Sequence, residues 1–437
     1  MTVERRGPLT YGQLSVLRSL EVYGPAGQTV ANLVNIWELP AWTDVLHAVD
    51  AWQELVRAHE SLRTSYREGR DGLEQIVHAY QPFPVPTVEL AQDTLSAVAE
   101  VSATRAAEPI AVDTPVPWTA FVATWQGDAV YFVAVIHHIA ADNGAVRILE
   151  QQFGALVEGG VLGPQPQPVD LALAQQNDGR GDKPVEYWIG QWGNHLAEDR
   201  DPGDISRRRR AMIYSLDGMR SADEISRRLN VSVQSVVLAA GSLALMRTKQ
   251  QDSITFGLMT ANRLEEPWAS MVSSLNQCAP LTLRADGDMS PSEFISAVYR
   301  QSLNSYFNGH FDVDALKNRL NESGVPETNP THFSLHYNFL GKGDGEPALD
   351  SPLWKSVDWR GSRQRIGPNF HLRVAAERGL FIGVGASEKY LPGQQPAVLA
   401  ASIEAGLLEM ADESVRRISD LSLAPLRDIG QEVCRQN

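Results

Sequence analysis

The stretch Tyr131-Phe132-Val133-Ala134-Val135-Ile136-His137-His138-Ile139-Ala140-Ala141-Asp142 places two histidines and an acid directly after an apolar run. Residues 131–136 predict a buried strand, and apolar residues return at helical spacing from Ala145 onward. The histidine pair and Asp142 therefore lie at a strand-to-helix junction. Because the ordinary pKa of histidine lies close to neutral pH, a histidine at this junction is a candidate proton acceptor.

The two neighbouring histidines are expected to have different surroundings. Successive side chains of a strand point to opposite faces, so His137 and His138 do not share one metal ion without distortion. The sequence nearby offers no third ligand at metal-binding spacing, which disfavours a metal site. We expect one histidine to face the core and the other to face a cleft. The alternative on this pattern alone is that both are hydrogen-bonded core histidines.

The strand before the histidines belongs to a predicted hairpin. Trp118–Thr124 and Ala129–Ile136 predict two strands, and Gln126-Gly127-Asp128 predicts the turn between them. Upstream, the region Trp42–Tyr66 predicts a helix that ends near residues 59–64. We expect its buried face to consist of four apolar residues, Leu46, Val49, Trp52 and Val56.

A stretch rich in glycine and proline, from Glu158 to Pro168, divides the chain. It predicts an N-terminal lobe over residues 1–165 and a C-terminal lobe over residues 166–437. The second part again mixes helices with strands, and Ser290 with Glu293 predicts a capping box at the start of one helix. The predicted helices are Val231–Met246, Pro291–Tyr306 and Pro396–Met410, and the predicted strands are Ser253–Thr260 and His332–Leu340.

The composition limits the classes of function. The chain has 437 residues, a formal charge of −15 and 43% hydrophobic residues, which is typical of a folded protein that does not bind nucleic acid. Two cysteines, Cys278 and Cys434, offer no disulfide framework and favour a reducing compartment. The first ten residues are unlike a signal peptide, and no run of about 18 apolar residues predicts a membrane span. We therefore expect a cytoplasmic protein.

The segment His137-His138-Ile139-Ala140-Ala141-Asp142 resembles the His-His-x-x-x-Asp-Gly signature of nonribosomal peptide synthetase condensation domains, which belong to the chloramphenicol acetyltransferase-like superfamily. Four further segments are similar to other motifs of this family and follow its order along the chain. They are Leu9-Thr10-Tyr11-Gly12-Gln13-Leu14-Ser15-Val16-Leu17, Arg57-Ala58-His59-Glu60-Ser61-Leu62-Arg63-Thr64, Met271-Val272-Ser273-Ser274-Leu275-Asn276 and Phe333-Ser334-Leu335-His336-Tyr337-Asn338-Phe339-Leu340-Gly341. On these motifs the chain is identified as a member of the family.

The resemblance implies an α/β (α+β sandwich) fold of two chloramphenicol acetyltransferase-like lobes in a V arrangement, with a tunnel between them. His138 would be the active-site histidine, which positions or deprotonates an amine or hydroxyl that attacks a thioester carbonyl. The chemistry is coherent, because a protonated amine is not a nucleophile and the attacking group must lose a proton. Positioning two reactants in one tunnel also accelerates their reaction.

The resemblance also assigns roles to neighbouring residues. Asp142 would be structural and paired with an arginine of the second lobe, for which Arg263 is the candidate; the alternative for Arg263 is an ordinary loop arginine. A buried carboxylate without a cationic partner would be costly. His137 would also be structural at the site. The residues expected to contact substrate are Asn143, Gly144, Asn276, Ser334 and His336.

Two sequence features depart from the family pattern. Asn143 stands where the family has glycine, and its side chain occupies space near the histidine, which puts the usual acceptor geometry in doubt. Epimerisation domains share the histidine motif but use a glutamate just after a His-Gly-Arg sequence. Here the comparable stretch is Ala261-Asn262-Arg263-Leu264-Glu265, which lacks that pattern and disfavours epimerisation.

These features predict a free-standing, monomeric condensation enzyme in natural-product biosynthesis that forms an amide or an ester. We expect no bound cofactor or metal; substrates would arrive on the phosphopantetheine of an acyl or peptidyl carrier protein, with a small-molecule acceptor. The alternative is a catalytically silent, condensation-like module that recruits a partner enzyme, which Asn143 keeps open. A basic run, Arg207–Arg210, is open to two interpretations, a solvated loop or a carrier-protein contact, and the pattern favours the loop.

Overall fold

The computed structural model describes residues 2–70, 72–178, 183–192, 208–263, 265–324, 331, 333–342, 354–357, 367–376 and 379–426. Within these residues the chain forms strands and helices in mixed order. The strands are β1 Val3–Pro8, β2 Asn32–Glu38, β3 Thr64–Gly69, β4 Gly72–His78, β5 Thr87–Glu89, β6 Trp118–Trp125, β7 Asp128–His137, β8 Arg208–Ser215, β9 Ser253–Thr260, β10 Gln277–Arg284, β11 Leu335–Lys342, β12 Trp354–Val357, β13 Phe370–Ala376 and β14 Leu380–Ser387. The helices are α1 Tyr11–Tyr23, α2 Val45–Ala58, α3 Leu95–Ala106, α4 Asn143–Val157, α5 Pro168–Asp178, α6 Lys183–Trp192, α7 Leu216–Leu229, α8 Val233–Lys249, α9 Pro291–Phe307, α10 Val313–Glu322 and α11 Gln395–Ala411.

The first half of the chain contains a four-stranded sheet in the order β2-β7-β6-β5. Side chains of β7 alternate between its faces: Phe132 packs with α2 and α4, whereas Val133 packs with α3. The predicted hairpin is confirmed, because β6 and β7 pair antiparallel across the turn at residues 126–127. At its far end β7 pairs with β2 through His137 and Asn32. This pairing holds His137, the first residue of the histidine motif, at the end of β7 beside the start of β2.

Helix α2 is confirmed over part of the predicted region, but its buried face differs from the prediction. Trp52 and Val56 are fully buried, as expected, whereas Leu46 is 72% exposed. Residues spaced by three drift by about 60° per step around a helix of 3.6 residues per turn. Leu46 therefore lies outside the buried face of the helix. That face includes Ala51 and Leu55, which are both buried. The helix ends at Ala58, and β3 begins at Thr64.

The second half of the chain is built around a seven-stranded mixed sheet in the order β10-β9-β11-β13-β14-β8-β12. Helices α7, α8, α9 and α11 cover one face of this sheet and form the largest hydrophobic core. The alternate side chains of β8, β11, β13 and β14 point to the other face, which borders a cavity of about 680 Å³. The α/β fold and two-lobed architecture predicted from the sequence are thus confirmed.

Most local predictions in this half are also confirmed. Ser290 caps α9 and forms the expected capping box with Glu293. Strand β9 has the predicted bounds Ser253–Thr260. The predicted strand at His332–Leu340 is β11, which begins at Leu335; His332 lies outside the described residues, as do Arg207 and Cys434. The favoured interpretation of the basic run as a solvated loop is wrong for Arg208–Arg210, because these residues begin β8 and border the cavity.

The boundary after residue 165 stays a prediction. Helix α5, which begins just beyond it, contacts β1 of the first half through an ion pair of 2.8 Å between Arg5 and Asp170. Within the described residues, no single helix has the length and apolar character needed to cross a membrane. The bent pair α7 and α8, at 113°, reaches that length and composition only when taken together.

Candidate active site

The histidine motif forms a tight turn between β7 and α4. Strand β7 ends at His137, residues 138–140 turn, and Asp142 is the N-cap of α4. The backbone N–H of His138 donates to the carbonyl of Ala31 at 2.7 Å, and the N–H of Ala140 donates to the carbonyl of His137 at 2.9 Å. These bonds hold the backbone of His138 between β2 and the start of α4.

The two histidines occupy different environments, as expected from the sequence. His137 is 2% exposed, and its Nδ1 accepts a hydrogen bond of 3.2 Å from the N–H of Ile139. Burial, together with the neighbouring His138, lowers the pKa of His137 to about 3, so this side chain is a neutral part of the core at neutral pH. His138 is half-buried and borders a cavity of about 680 Å³. The difference arises from the turn, since His138 lies beyond the last strand residue.

Ser274 orients the imidazole of His138. Its Oγ lies 3.3 Å from His138 Nδ1 and donates to Asn276 Oδ1 at 3.1 Å. When the hydroxyl proton of Ser274 is donated to Asn276, the serine oxygen accepts from Nδ1–H in the tautomer of His138 that carries its proton there. That tautomer leaves Nε2 of His138 as the basic nitrogen. Sequence reasoning missed the role of Ser274, although it lies inside a recognised motif.

The pKa of His138 lies below the ordinary value of 6.5. Burial lowers it, while a hydrogen bond to its own backbone and the charge of Asp142 raise it in part. The imidazole is therefore neutral at pH 7. A neutral histidine that borders a cavity is able to accept a proton from a bound reactant.

Asp142 is buried and holds the two halves of the chain together. Its Oδ1 accepts from Ala145 N–H at 2.8 Å and from Arg263 Nη2 at 2.6 Å. Its Oδ2 accepts from the N–H groups of Leu275 and Asn276 at 2.9 and 3.2 Å. The carboxylate therefore caps α4, neutralises a buried guanidinium and binds the Ser274 loop. Its contacts support the structural role predicted from the sequence, and that role stays a prediction.

Arg263 forms hydrogen bonds with the backbone of the loop that contains Ser274. Its Nη1 donates to the carbonyls of Ala269 and Met271 at 3.2 and 2.7 Å, and its Nη2 donates to that of Ser273 at 3.0 Å. The preceding Asn262 has a φ of 52° and donates to the carbonyl of Leu275 at 3.0 Å. The ion pair that the sequence predicts is therefore present, and it connects the first lobe to the loop that orients His138.

Gly144 is placed against Arg263 and not among the residues that border the cavity. A Cβ at Gly144 would lie 2.4 Å from Nε and 2.8 Å from Cδ of Arg263, well inside contact distance. This glycine lies in the first turn of α4, where its backbone does not require a positive φ. Its small size therefore serves the close approach of the arginine. A direct substrate contact by Gly144 stays a prediction.

Substituting Gly144 with alanine tests this packing. We expect Gly144→Ala to lower the free energy of unfolding by about 1–3 kcal/mol, the usual cost of forcing extra volume into a packed site. Gly154→Ala, in the same helix, is the matched control, because a Cβ there meets nothing within 4 Å. We expect that control to stabilise the protein by about 0.4–1 kcal/mol. Urea denaturation measures both, and equal effects at the two positions would contradict the packing role.

The remaining predicted site residues divide into two groups. Asn143, Asn276 and His336 border the same cavity as His138. Ser334 does not border it among the described residues; its carbonyl accepts from Phe370 N–H at 3.0 Å and so joins β11 to β13. Whether any of them contacts substrate stays a prediction.

Residues of the other sequence motifs contact the histidine turn and the segments beside it. The hydroxyl of Ser61 donates to the carbonyl of Ala140, and Gln13 Nε2 donates to Ser273 Oγ at 3.2 Å. Burial lowers the pKa of His59 to about 4, and its Nε2 lies 2.6 Å from Gln152 of α4. These motif residues are thus structural neighbours of the histidine turn. Among the described residues, no group of three or more His, Cys, Asp or Glu is arranged to hold a metal ion.

The fold and the site together define a two-lobed, chloramphenicol acetyltransferase-like protein with a histidine on the cavity between its lobes. Sequence comparison gives the family: the model named Condensation domain matches residues 43–348, more than half of the chain. The protein belongs to the condensation domain family. Members of this family act on substrates carried by phosphopantetheine and use no cofactor of their own.

Similar sequences are parts of large synthetases. The chain is 24% identical over 366 residues to the nonribosomal peptide synthetase kk1B of Curvularia clavata, covering 77% of this chain and 3% of that protein. It is 24% identical over 306 residues to bacitracin synthase 2 of Bacillus licheniformis, covering 66% of this chain and 11% of that protein. The chain therefore spans a small part of the curated relatives it matches.

Solved structures share the whole fold. The condensation domain from the monacolin K polyketide synthase MokA aligns with a TM-score of 0.78 at 17% identity, covering 96% of this chain and 100% of that one. An X-domain solved in complex with OxyB from teicoplanin biosynthesis aligns with a TM-score of 0.75 at 18% identity, covering 98% of each chain. At these identities the likeness shows the fold alone.

Proposed function

We propose that this protein transfers an acyl group from a thioester to an amine or a hydroxyl, with His138 as the proton acceptor. The observation that carries the proposal is the neutral imidazole of His138 on a cavity of about 680 Å³ between the lobes. The cavity is lined by residues of both halves, for example Leu33 and Met259. A cavity of this size accommodates a small acceptor together with the end of an acyl chain.

The proposed reaction moves one proton from the acceptor to His138 and then to the departing thiolate. As the acceptor nitrogen or oxygen attacks the thioester carbonyl, Nε2 of His138 takes its proton. The new C–N or C–O bond forms, the C–S bond breaks, and the proton passes to the departing thiolate. Asn143, Asn276 and His336, which border the cavity, are the proposed substrate contacts, and His137, Asp142 and Arg263 are the proposed structural residues.

The substrates of this reaction are proposed from the family. The acyl donor would arrive on the phosphopantetheine of a carrier protein, and the acceptor would be a small molecule. We also propose that the lobes divide near residue 165, and that the protein is a monomer. Epimerisation is not supported, since Glu265 is exposed and is not among the residues that border the cavity.

The function is tested by incubating the protein with acyl-carrier thioesters and a panel of amine and alcohol acceptors, with mass spectrometry of the products. An amide or ester that forms only with active protein supports the proposal. The second candidate, a silent recruitment module, is kept open by the exposed side chain of Asn143 beside the histidine turn. Stable capture of a partner enzyme with no thioester turnover across the panel would favour that candidate.

The pH dependence of the reaction follows from the pKa of His138. Because burial lowers this pKa below 6.5, the basic form is already present at pH 7. We expect kcat/KM at pH 6.5 to be more than half of its value at pH 8, and to decrease further below pH 6.5 as His138 takes a proton. An acyl-transfer assay between pH 5 and 8 checks this. An acidic limb centred above pH 6.5 would contradict the assignment of His138 as the base.

A further inference from the structure

The sheet of the second lobe presents a basic surface to the cavity. Arg208 and Arg210 of β8, with His371 and Arg373 of β13, border the same cavity as His138. The overall charge of the chain is −15, so a concentration of arginine side chains around the cavity that His138 borders is unusual for this sequence. We call these four residues the basic wall.

Strand register places the basic wall on one face. His371 pairs with Gly385, and Gly385 pairs in turn with Arg210, so the three residues form a row across β13, β14 and β8. Two residues along, Arg373 pairs with Gly383. Side chains two residues apart share a face of a strand, so both rows point into the cavity.

Two glycines leave a groove along β14 beside the basic side chains: Gly385 lies between His371 and Arg210, and Gly383 lies between Arg373 and Met212. Neither Gly383 nor Gly385 has a positive φ, so the backbone does not require glycine. A Cβ at Gly385 would meet Arg210 Cγ at 3.5 Å, and a Cβ at Gly383 would meet the carbonyl of Arg373 at 3.4 Å, which are ordinary contacts. Packing therefore does not require glycine either. Glycine inside a strand is common where a ligand approaches the backbone closely.

Two members of the basic wall, His371 and Arg373, have side-chain polar groups without a partner among the described residues. No described residue forms an ion pair or a hydrogen bond with the guanidinium of Arg373, and Nε2 of His371 is buried without a hydrogen-bond partner. Burial lowers the pKa of Arg373; it also lowers that of Arg210, as do the charges of Arg373 and Arg208. Arg373 is an exposed side chain that borders the cavity, so its guanidinium is accessible to a ligand that supplies negative charge.

The wall is continuous with the candidate active site. His138 contacts Ser274, and Ser274 contacts Asn276. Two residues after Asn276, on β10, Cys278 Sγ lies 3.7 Å from Nδ1 of His336. The rings of His336 and His371 in turn lie 6.1 Å apart in an edge-on arrangement. A molecule in the cavity is thus able to lie between His138 and the basic wall.

We propose that the basic wall, through Arg373 above all, binds an oxyanion of a substrate in the cavity. The planar guanidinium of Arg373 suits a carboxylate or a phosphate, and the groove over Gly385 admits it to the sheet. This assignment rests on the proposed function in one respect, that the molecule bound in the cavity is a substrate. Two sources supply the chemistry: a carboxylate on the acyl or acceptor molecule, or the phosphate of phosphopantetheine.

Direct binding tests the basic wall without turnover. Calorimetric titrations in a buffer free of oxyanions would use two matched pairs of probes: 3-phenylpropanoate with 3-phenylpropanamide, and 4′-phosphopantetheine with pantetheine. We expect the anion of at least one pair to bind at least about 10-fold more tightly than its neutral partner, and the pair that discriminates identifies the source. Equal binding of anion and neutral partner in both pairs would overturn the proposal.

Variants test whether the basic wall is the reason that the anion binds more tightly than its neutral partner. Arg373→Gln should weaken binding of the preferred anion by about 10- to 100-fold, whereas Arg373→Lys should retain part of it. Gly385→Ala, which fills the groove without a clash, should weaken binding as well. Arg220→Gln is the matched control, because Arg220 is a 78% exposed residue paired with Asp217. Unchanged anion binding in folded Arg373→Gln, checked by thermal melting, would refute the site.

Different experimental results would refute the proposed acyl transfer and the proposed oxyanion site. His138→Ala removes the proposed base but leaves the basic wall intact, so it should bind the anion as the unmodified protein does. If acyl transfer is absent while the anion still binds through Arg373, the proposed reaction is wrong and the binding site stands. If transfer occurs and no anion discriminates, the binding site is wrong and the reaction stands.

Discussion

His138→Ala is expected to lower the rate of acyl transfer by about 10²- to 10⁴-fold, the range typical for loss of a general base. The physical reason is that the neutral imidazole is the basic group oriented at this end of the cavity, through Ser274 and its own backbone. The measurement is kcat/KM for a soluble acyl thioester and a fixed acceptor. The fold should be unaffected, since the side chain is half-buried and faces the cavity.

The matched control for this variant is His47→Ala. His47 lies on the exposed surface of α2, with 62% of its side chain accessible, and its Nδ1 contacts Asp44 at 3.1 Å. Its loss should leave the transfer rate unchanged. A His138→Ala protein that is folded and transfers the acyl group at the unmodified rate would remove both the base role and the positioning role from His138.

Asp142→Ala is expected to cost about 3–5 kcal/mol in the free energy of unfolding, the range found when one partner of a buried ion pair is removed. The substitution leaves the guanidinium of Arg263 buried without its carboxylate and deprives three backbone N–H groups of an acceptor. The loop that bears Ser274 should loosen, so activity should fall together with stability. Urea denaturation followed by circular dichroism measures the change.

Asp44→Ala separates the ion pair from helix capping. Asp44 caps α2 as Asp142 caps α4, accepting from His47 N–H at 2.8 Å, but it is an exposed side chain with no arginine partner among the described residues. Its loss should cost much less stability than the loss of Asp142, because it removes an exposed N-cap and no buried ion pair. Similar costs at the two positions would show that the Arg263 pair contributes little. A fully stable but inactive Asp142→Ala would instead assign Asp142 to catalysis.

The sequence predicts those parts of the fold that local patterns determine. The hairpin of β6 and β7, the capped helix α9 and strand β9 follow from alternation, turn residues and capping residues, which act over a few positions. The exposed Leu46 shows the limit of the approach, because apolar spacing alone does not fix the centre of a buried stripe. The motif around His138 could be read because its residues are adjacent in the chain.

The parts of the site that the sequence did not reveal depend on long-range register. Ser274 meets His138 across 136 positions, and no local pattern indicates that contact. The basic run was interpreted as a loop because consecutive charges resemble a solvated segment. Only the order of β13, β14 and β8 shows that Arg210 and His371 share a row with a glycine between them.

The most direct test of the central claim follows the acyl group itself. Intact-protein mass spectrometry of an acylated carrier protein, mixed with an acceptor and either the unmodified protein or His138→Ala, measures loss of the acyl mass from the carrier and its appearance on the acceptor. We predict transfer to the acceptor with the unmodified protein and transfer slower by about 10²- to 10⁴-fold with the variant. Equal transfer by the two proteins would contradict the account.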